Sequence, residues 1–303
     1  MVSSALILLS LLLTPSLRAA SCCGGGGGTS LLIVADNEAQ VSLFQSQNKV
    51  IGDTDRNGNS VFRNENNQEI VDRSSLSLSK MWGPFWQTGA IVNWQNKTRK
   101  TLSGRSESNR GLGDIGLFVG YEFLPEITYS AWRPRGFVTM DINLPTATSI
   151  HDSQSELATD TRGSGFYSAS LGATFFKSWG EYSYSLFGKS KFSLESKFAN
   201  QTISPGPEFS LGTTLSHDFF VKDITWSLGL AHQYKTGKKS EGENFSSNRQ
   251  KEYFWDTTVS FIYNWNDDYS FTLSYLDQTI MGPTQNTTLS RELAFGFTRN
   301  FPL

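Results

Sequence analysis

The sequence predicts an all-β fold: a transmembrane antiparallel up-and-down β-barrel of about 12 strands. Three observations predict it. Apolar and polar residues alternate along most of the chain, long and short polar connections alternate between these segments, and aromatic residues stand at both ends of the apolar faces. Alternation with a period of two indicates strands whose two faces meet different surroundings.

The composition agrees with a barrel that is apolar outside and polar inside. Only 38% of the residues are hydrophobic, yet 13% are aromatic, a combination that suits such a barrel better than a soluble core. The formal net charge of −2 gives no electrostatic reason to expect a nucleic-acid partner.

The N-terminus predicts export. Residues 5–13, "ALILLSLLL", form a short apolar segment, and small residues that permit signal cleavage follow up to Ser21. We therefore expect a signal peptide over residues 1–21, a glycine-rich segment over 22–38 and the barrel over 39–303. The glycine-rich segment is interpreted either as a plug that folds into the barrel or as a tether.

Both cysteines, Cys22 and Cys23, lie at the cleavage junction, so no disulfide framework is expected. "AASC" loosely resembles a bacterial lipobox, in which Cys22 would be acylated. The alternative is an ordinary signal-peptidase site followed by a flexible glycine linker. No metal site or other cofactor is expected, because none of the three histidines lies near the cysteines in sequence.

Twelve alternating segments follow the glycine run, and the gaps between them alternate in length. Long polar gaps at one end and short ones at the other describe a meander that closes with both termini on the short-turn side. The connection 125–134 is longer than the other short ones. The predicted strands are 39–51, 69–80, 86–98, 113–124, 135–146, 165–177, 182–196, 207–217, 223–235, 252–264, 269–279 and 289–301.

Gly111, Gly113 and Gly116 have the G-x-G-x-x-G spacing of dinucleotide-binding loops. That motif requires a preceding buried strand and a following helix. Here a polar stretch precedes it and a period-two segment follows it. The sequence therefore favours a strand in which Val119 faces lipid and Glu122 faces the lumen.

Aromatic residues at both ends of the apolar faces predict two membrane girdles. Trp255 and Trp265 are ten residues apart, which corresponds to about 25 Å along the axis of a tilted barrel, the height of the apolar band. A soluble sandwich has no reason for this placement. The predicted girdle residues are Trp86, Trp94, Trp226, Tyr234, Trp255 and Trp265.

The opposite faces carry charged and polar residues, which predict a lumen that holds water or a polar plug, because such groups are costly to bury unpaired. Three phenylalanines also point inward by parity and are interpreted either as an apolar path or as a packing surface for a plug. The predicted lumen-lining residues are Asn93, Lys97, Asp114, Phe118, Glu122, Asp141, Phe187, Lys189, Lys191, Phe254, Asp256 and Glu292.

Several stretches resemble a family of bacterial outer-membrane barrels named after the MetA pathway of phenol degradation, in particular a subgroup with an N-terminal Cys-Cys-Gly run. The resemblance rests on "SCCGGGGG", "GLGDIGLFVGYEFLP", "AWRPRGFVTMDINLPTATSIHDS", "LATDTRGSGFYS" and "SYLDQTIMGPTQNTTLSREL". It implies an outer-membrane channel or transporter, with small hydrophobic or aromatic compounds as candidate solutes. Its partners would be outer-membrane lipid and the barrel-assembly machinery.

Two other functions remain open. A non-conducting structural or surface-display barrel has the same sequence pattern. An outer-membrane hydrolase is suggested by His151 and Ser153, which form an H-x-S, since a serine nucleophile needs a base in hydrogen-bond contact. That pair falls in a long polar stretch where such residues are common, so the sequence favours a protein that is not an enzyme.

Overall fold

The computed structural model describes residues 31–34, 37–199, 201–219, 223–242, 245–248 and 250–302. The predicted signal peptide and Cys22 lie outside them. In this part of the chain no helix is long and apolar enough to cross a membrane. The strands are β1 (Asn37–Thr54), β2 (Ser60–Phe62), β3 (Gln68–Trp82), β4 (Trp86–Lys100), β5 (Ser106–Leu112), β6 (Ile115–Leu124), β7 (Arg135–Leu144), β8 (Ser168–Trp179), β9 (Tyr182–Ser193), β10 (Ser196–Phe198), β11 (Gln201–Ser204), β12 (Glu208–Phe219), β13 (Ile224–Lys235), β14 (Lys239–Gly242), β15 (Phe245–Asn248), β16 (Glu252–Asn264), β17 (Tyr269–Asp277) and β18 (Thr288–Pro302).

Twelve of these strands form one closed antiparallel barrel. Neighbours pair in the order β1, β3, β4, β6, β7, β8, β9, β12, β13, β16, β17 and β18. The last strand then pairs with the first, from Asn37 opposite Pro302 to Asp53 opposite Thr288. The predicted twelve-stranded barrel is confirmed, and each predicted segment overlaps one of these strands.

The structure corrects the prediction that residues 99–112 form a loop. β4 continues to Lys100, and β5 returns along it with Leu112 opposite Trp94. Gly113 and Asp114 separate β5 from β6, which pairs with the first half of β4 and with β7. Gly116 lies in β6, so no helix follows the glycine motif. β6 therefore pairs with a strand on each side, whereas β5 pairs with β4 alone, and residues 113–114 separate the two.

Two more connections predicted as loops also contain strands. The segment between β9 and β12 carries β10 and β11, and the segment between β13 and β16 carries β14 and β15. These four short strands pair in that order into a separate sheet at the long-loop end of the barrel. Polar hairpins of this kind give no apolar alternation, which is why the sequence pattern does not predict them.

The two faces of the wall have opposite chemistry. Large apolar side chains project outward and are 37–60% exposed, an extent of apolar surface that a soluble protein rarely shows. They include Leu43, Leu76, Leu78, Val92, Leu117, Val119, Val138, Met140, Leu171, Phe175, Leu186, Leu211, Leu215, Leu228, Phe261, Leu273, Leu293 and Phe295. Small polar side chains face the axis and are at most 8% exposed. They include Ser42, Ser46, Ser75, Ser77, Ser79, Thr214, Ser216, Thr225, Ser227, Thr258, Ser270 and Thr298.

The connection between β6 and β7 is held against the outside of the wall. Glu126 lies 2.5 Å from the Nζ atom of Lys177 on β8, and the indole of Trp179 donates to the carbonyl of Ala131 at 2.6 Å. Lys177 is therefore buried although its position on β8 points outward. These contacts give the long 125–134 turn a defined place at the short-turn end.

The facing of the strands can be tested on adjacent residues of β17. Leu273 points outward and is 48% exposed, whereas Ser274 faces the axis opposite Ala294 and Ser260. We expect Leu273→Lys to lower the stability of the folded barrel by about 2–4 kcal/mol, because it places an ammonium group in hydrocarbon. Ser274→Lys should cost clearly less. Urea unfolding in lipid vesicles measures both, and equal costs would contradict the facing.

Candidate functional site

The interior of the barrel is the candidate site, and residues 31–34 lie inside it at the short-turn end. Leu32 and Val34 pack against three inward rings, Phe118, Phe137 and Phe176. Both aliphatic side chains are at most 6% exposed, and Phe137 is completely buried. The segment before the first strand therefore covers the inner face of β6, β7 and β8.

Two side chains of the wall bind the backbone of this segment. Gln87 accepts a hydrogen bond from the Ile33 amide at 2.7 Å and donates to the Ile33 carbonyl at 3.2 Å. Arg135 donates to the Val34 carbonyl, while its other guanidinium nitrogens bind both carboxylate oxygens of Glu122 at 2.7 and 2.9 Å. The Ile33 amide, the Ile33 carbonyl and the Val34 carbonyl are thus paired with the wall, as buried backbone requires.

The connection 145–167, between β7 and β8, folds onto the inner face of the β4–β5 hairpin. The Leu157 amide donates to Glu107 at 3.0 Å, and Arg162 donates to Asn109 at 2.7 Å. Lys97 donates to Thr161 at 3.1 Å. We call residues 145–167 the inner loop, because these contacts hold it on the axis side of the wall at the long-loop end.

Asp114 is the main anchor of the inner loop. Its carboxylate accepts hydrogen bonds from the amides of Ala147 (3.2 Å) and Ser164 (2.7 Å), from the Ser164 hydroxyl and from Asn143. The sequence predicts Asp114 as a lumen-lining residue. In the structure its carboxylate instead fastens the inner loop at the point where β5 and β6 separate.

A cluster of rings joins the inner loop to the small sheet. Phe166 of the loop packs against Phe198 and Ile203 of β10 and β11. The His151 ring lies 4.7 Å from the Phe198 ring, and its Nε2 atom is 2.8 Å from the Nζ atom of Lys238. Burial, followed by the charge of Lys238, lowers the pKa of His151, although Asp152 opposes the shift. Neutral His151 accepts a hydrogen bond from the Lys238 ammonium.

Charged residues on β7, β9 and β12 form ion pairs inside the barrel that remain accessible to water. Lys189 lies 2.7 Å from Asp141, and the two side chains are 42% and 30% exposed. Lys191 lies 3.0 Å from Glu208, with both side chains about one-third exposed. The interior at this level is therefore open to water, unlike the region beneath residues 31–34.

Other predicted lumen residues are divided among separate contacts. The Ser75 hydroxyl donates to Asn93 at 2.6 Å, and Lys97 lies 3.2 Å from Glu69. Phe187 lies against Gly212, where a Cβ atom would approach the ring to 2.5 Å.

Two carboxylates on the opposite wall are almost fully buried. Asp256, which is 6% exposed, accepts hydrogen bonds from Gln278 at 2.9 Å and from Gln233 at 3.2 Å. Glu292 is 7% exposed and accepts one from Asn48 at 3.2 Å. Phe254 is opposite Gln233 in the β13–β16 ladder, and the Lys235 ammonium lies 5.5 Å from its ring centroid.

Phe118 packs against residues 31–34, and Glu122 is buried and bound to Arg135, which binds the same segment, so neither residue lines an open passage. They belong to the contact surface for the segment. Gln87, Phe137 and Phe176 complete this surface, and none of them was among the residues predicted from the sequence. Their inward parity is visible in the sequence, but nothing there says that one short segment would contact all three.

Of the predicted girdle residues, Trp86, Trp226, Tyr234 and Trp255 lie near strand ends, Trp265 directly follows β16, and Trp94 lies in the middle of β4. The Trp86 ring is 4.7 Å from that of Tyr121, and Trp265 stacks on Phe271 at 6.1 Å. Trp255 contacts His232, and Tyr234 contacts Phe209. Trp94 is opposite Leu112, and Trp226 stacks near His217.

His151 and Ser153 do not form a nucleophile–base pair. Ser153 donates to Asp160, whereas the Nε2 atom of His151 faces Lys238. A hydrolytic mechanism needs the imidazole beside the hydroxyl. The contacts of both residues instead stabilise the inner loop.

The chain thus has the architecture of outer-membrane β-barrels: a closed meander of twelve strands with an apolar outer face and a polar interior. An outer membrane channel from Pseudomonas putida F1 has a similar fold, with a TM-score of 0.72 and 10% sequence identity over 91% of this chain and 100% of that chain. The NanC porin (TM-score 0.48, 9% identity, 87% of this chain, 100% of that one) and the CymD monoaromatic hydrocarbon channel (0.45, 10%, 89% and 90%) are more distant. No protein-family model and no curated protein matches the sequence.

The contact between His151 and Lys238 predicts that acid loosens the inner loop. Because the folded-state pKa lies below the ordinary histidine value of about 6.5, the contact is stable above that pH and is lost as the pH falls through the folded-state pKa. Amide protection factors in the inner loop should fall by about tenfold for each unit of pKa depression. Hydrogen exchange, corrected for intrinsic rates, measures this from pH 8 to 4.

The matched control is His151→Gln, which keeps an acceptor for Lys238 but does not titrate in this range. The variant should show the same protection at both ends of the titration. A wild-type profile that is equally flat would contradict the role of His151.

Proposed function

We propose that this protein is an outer-membrane channel for small solutes, narrowed by residues 31–34 at its periplasmic end and by the inner loop at its extracellular end. The observation that carries the proposal is the coexistence of water-accessible ion pairs inside the barrel with an apolar segment packed on the inner wall near its short-turn end. The fold similarity to the Pseudomonas putida channel supports the architecture that this function needs.

The chemistry of the wall supports the proposed location in a membrane. A closed barrel satisfies every strand hydrogen bond internally, as hydrocarbon requires. The outward apolar belt contacts lipid in this proposal, and the aromatic residues at its edges lie in the two interfaces. Export by the predicted signal peptide over residues 1–21 and insertion by the barrel-assembly machinery belong to the same proposal.

The solutes we propose are small hydrophobic or aromatic compounds. The inward rings Phe187 and Phe254 remain partly exposed beside charged groups, so an aromatic solute could stack there while its polar groups stay hydrated. The resemblance to the family named after the MetA pathway, with its Cys-Cys-Gly subgroup, points to the same solute class.

A display barrel is the main competing function, and conductance separates the two. A channel conducts ions in a planar bilayer at a reproducible unit size, whereas a display barrel with the same fold does not. A hydrolase has weaker support, because His151 and Ser153 bind different partners.

The proposed role of the N-terminal segment is tested by deleting residues 24–36 while keeping the signal peptide and Cys22. The unit conductance should rise, because Leu32 and Val34 no longer cover the inner face of β6–β8. Gln87→Leu should raise the unit conductance by a smaller amount or make brief openings more frequent, since it removes both hydrogen bonds to Ile33.

Gln233→Leu is the matched control, because Gln233 also faces the axis but bonds to Asp256 rather than to the segment. Heat-modifiable gel mobility verifies that each variant is folded. If deletion leaves the conductance unchanged, the segment is a tether and the narrowing at this end is wrong.

A further inference from the structure

We propose that the outer wall binds one zwitterionic glycerophospholipid of the periplasmic leaflet, with an acyl chain in a groove over β1, β3, β4 and β6. The inference rests on the proposed placement in the outer membrane. The groove has a volume of about 590 Å³, within the range of roughly 300–1,000 Å³ typical of small-ligand sites.

The groove exists because the outward side chains on these four strands differ in size. Ala39, Thr88 and Ala90 are short, and they are flanked by the larger Leu78, Leu117 and Val119. Register places Ala90 between Leu78 and Leu117, and Thr88 between Lys80 and Val119. The lining is mostly apolar, which matches hydrocarbon and not a hydrated solute.

The wall behind the groove is supported from inside. Gly89, which lies between Thr88 and Ala90, faces the Leu31 side chain at 3.4 Å from its ideal Cβ position, and Gln87 holds Ile33. The β3–β4 ladder is continuous from Gln68 to Trp82. The groove is thus a depression in an intact wall, suited to holding a chain and not to passing one through.

One end of the groove carries a cation and an anion side by side. Lys80 lines the groove, and its ammonium lies 3.9 Å from the Glu38 carboxylate, with both side chains about half-exposed. A register irregularity between Asn37 and Ala39 brings Glu38 to this position. A headgroup with a phosphate and a primary ammonium matches this pair, the phosphate on Lys80 and the ammonium on Glu38.

Two tryptophans set the depth of this charged pair. The Lys80 ammonium lies 5.0 Å from the Trp82 ring centroid, and Trp82 pairs with Trp86 at the turn between β3 and β4. Tryptophan is enriched at the headgroup level of membranes. The charged pair therefore lies where phospholipid headgroups are, and the apolar groove extends from it into the hydrocarbon.

Native mass spectrometry of the full-length protein tests the proposal. After delipidation, the barrel is titrated with phosphatidylethanolamine or with phosphatidylglycerol, which lacks the ammonium. We expect one phosphatidylethanolamine to bind about tenfold more tightly than phosphatidylglycerol, a difference of about 1.4 kcal/mol. Ala90→Phe should abolish this first binding step by filling the groove, whereas Val138→Phe, on the outer face of β7, should not.

The double variant with Glu38→Lys and Lys80→Glu reverses the charged pair and should still bind an acyl chain. Lys80→Glu alone should weaken the binding of both lipids. Equal affinity of the wild type for the two lipids, or unchanged binding by Ala90→Phe, would overturn the proposal. The same preparations are tested in planar bilayers. If the barrels conduct but show no preferred binding of one phosphatidylethanolamine, only the proposed groove is rejected. If they fail to insert and conduct, the channel function itself is rejected.

Discussion

The pairing of β1 with β18 is the constraint on which the rest of the structure depends. Strands can stand in hydrocarbon only when every backbone donor and acceptor has a partner within the barrel. The ladder from Asn37–Pro302 to Asp53–Thr288 supplies the last row of partners, so the first and last strands cannot shift independently. Closure also fixes which face of each strand points to lipid. A shift of one residue in the pairing of β1 with β18 would turn the small polar side chains of β1 toward lipid.

Closure creates an interior that the protein must fill or hydrate, and the two ends do so differently. At the short-turn end an apolar segment packs on aromatic rings, and its backbone is bonded by Gln87 and Arg135. At the other end polar contacts hold the inner loop on the β4–β5 hairpin, with Asp114 as anchor. The apolar segment excludes water from its end of the interior. The inner loop leaves the ion pairs of the interior accessible to water.

The sequence predicts the barrel well because each strand carries its own period-two signal. The strand number, the facing of residues such as Val119 and Glu122 and the long connection at 125–134 follow from local pattern. The contact surface of residues 31–34 does not, because it joins Gln87, Arg135 and Phe176 from separate strands through a segment too short to have a period. The β5 extension does not follow from the sequence for a related reason: Ser106–Leu112 is polar on both faces as far as Arg110, and no apolar face marks it.

The ion pairs of Lys189 with Asp141 and of Lys191 with Glu208 leave this part of the interior without net charge. Positive and negative groups lie a few ångströms apart, so their fields cancel over the width of a hydrated ion, and screening shortens their range further. An ion of either sign meets sites of both signs on one wall. In the proposed channel, this water-accessible part of the interior therefore gives neither cations nor anions an electrostatic advantage over neutral molecules of the same size.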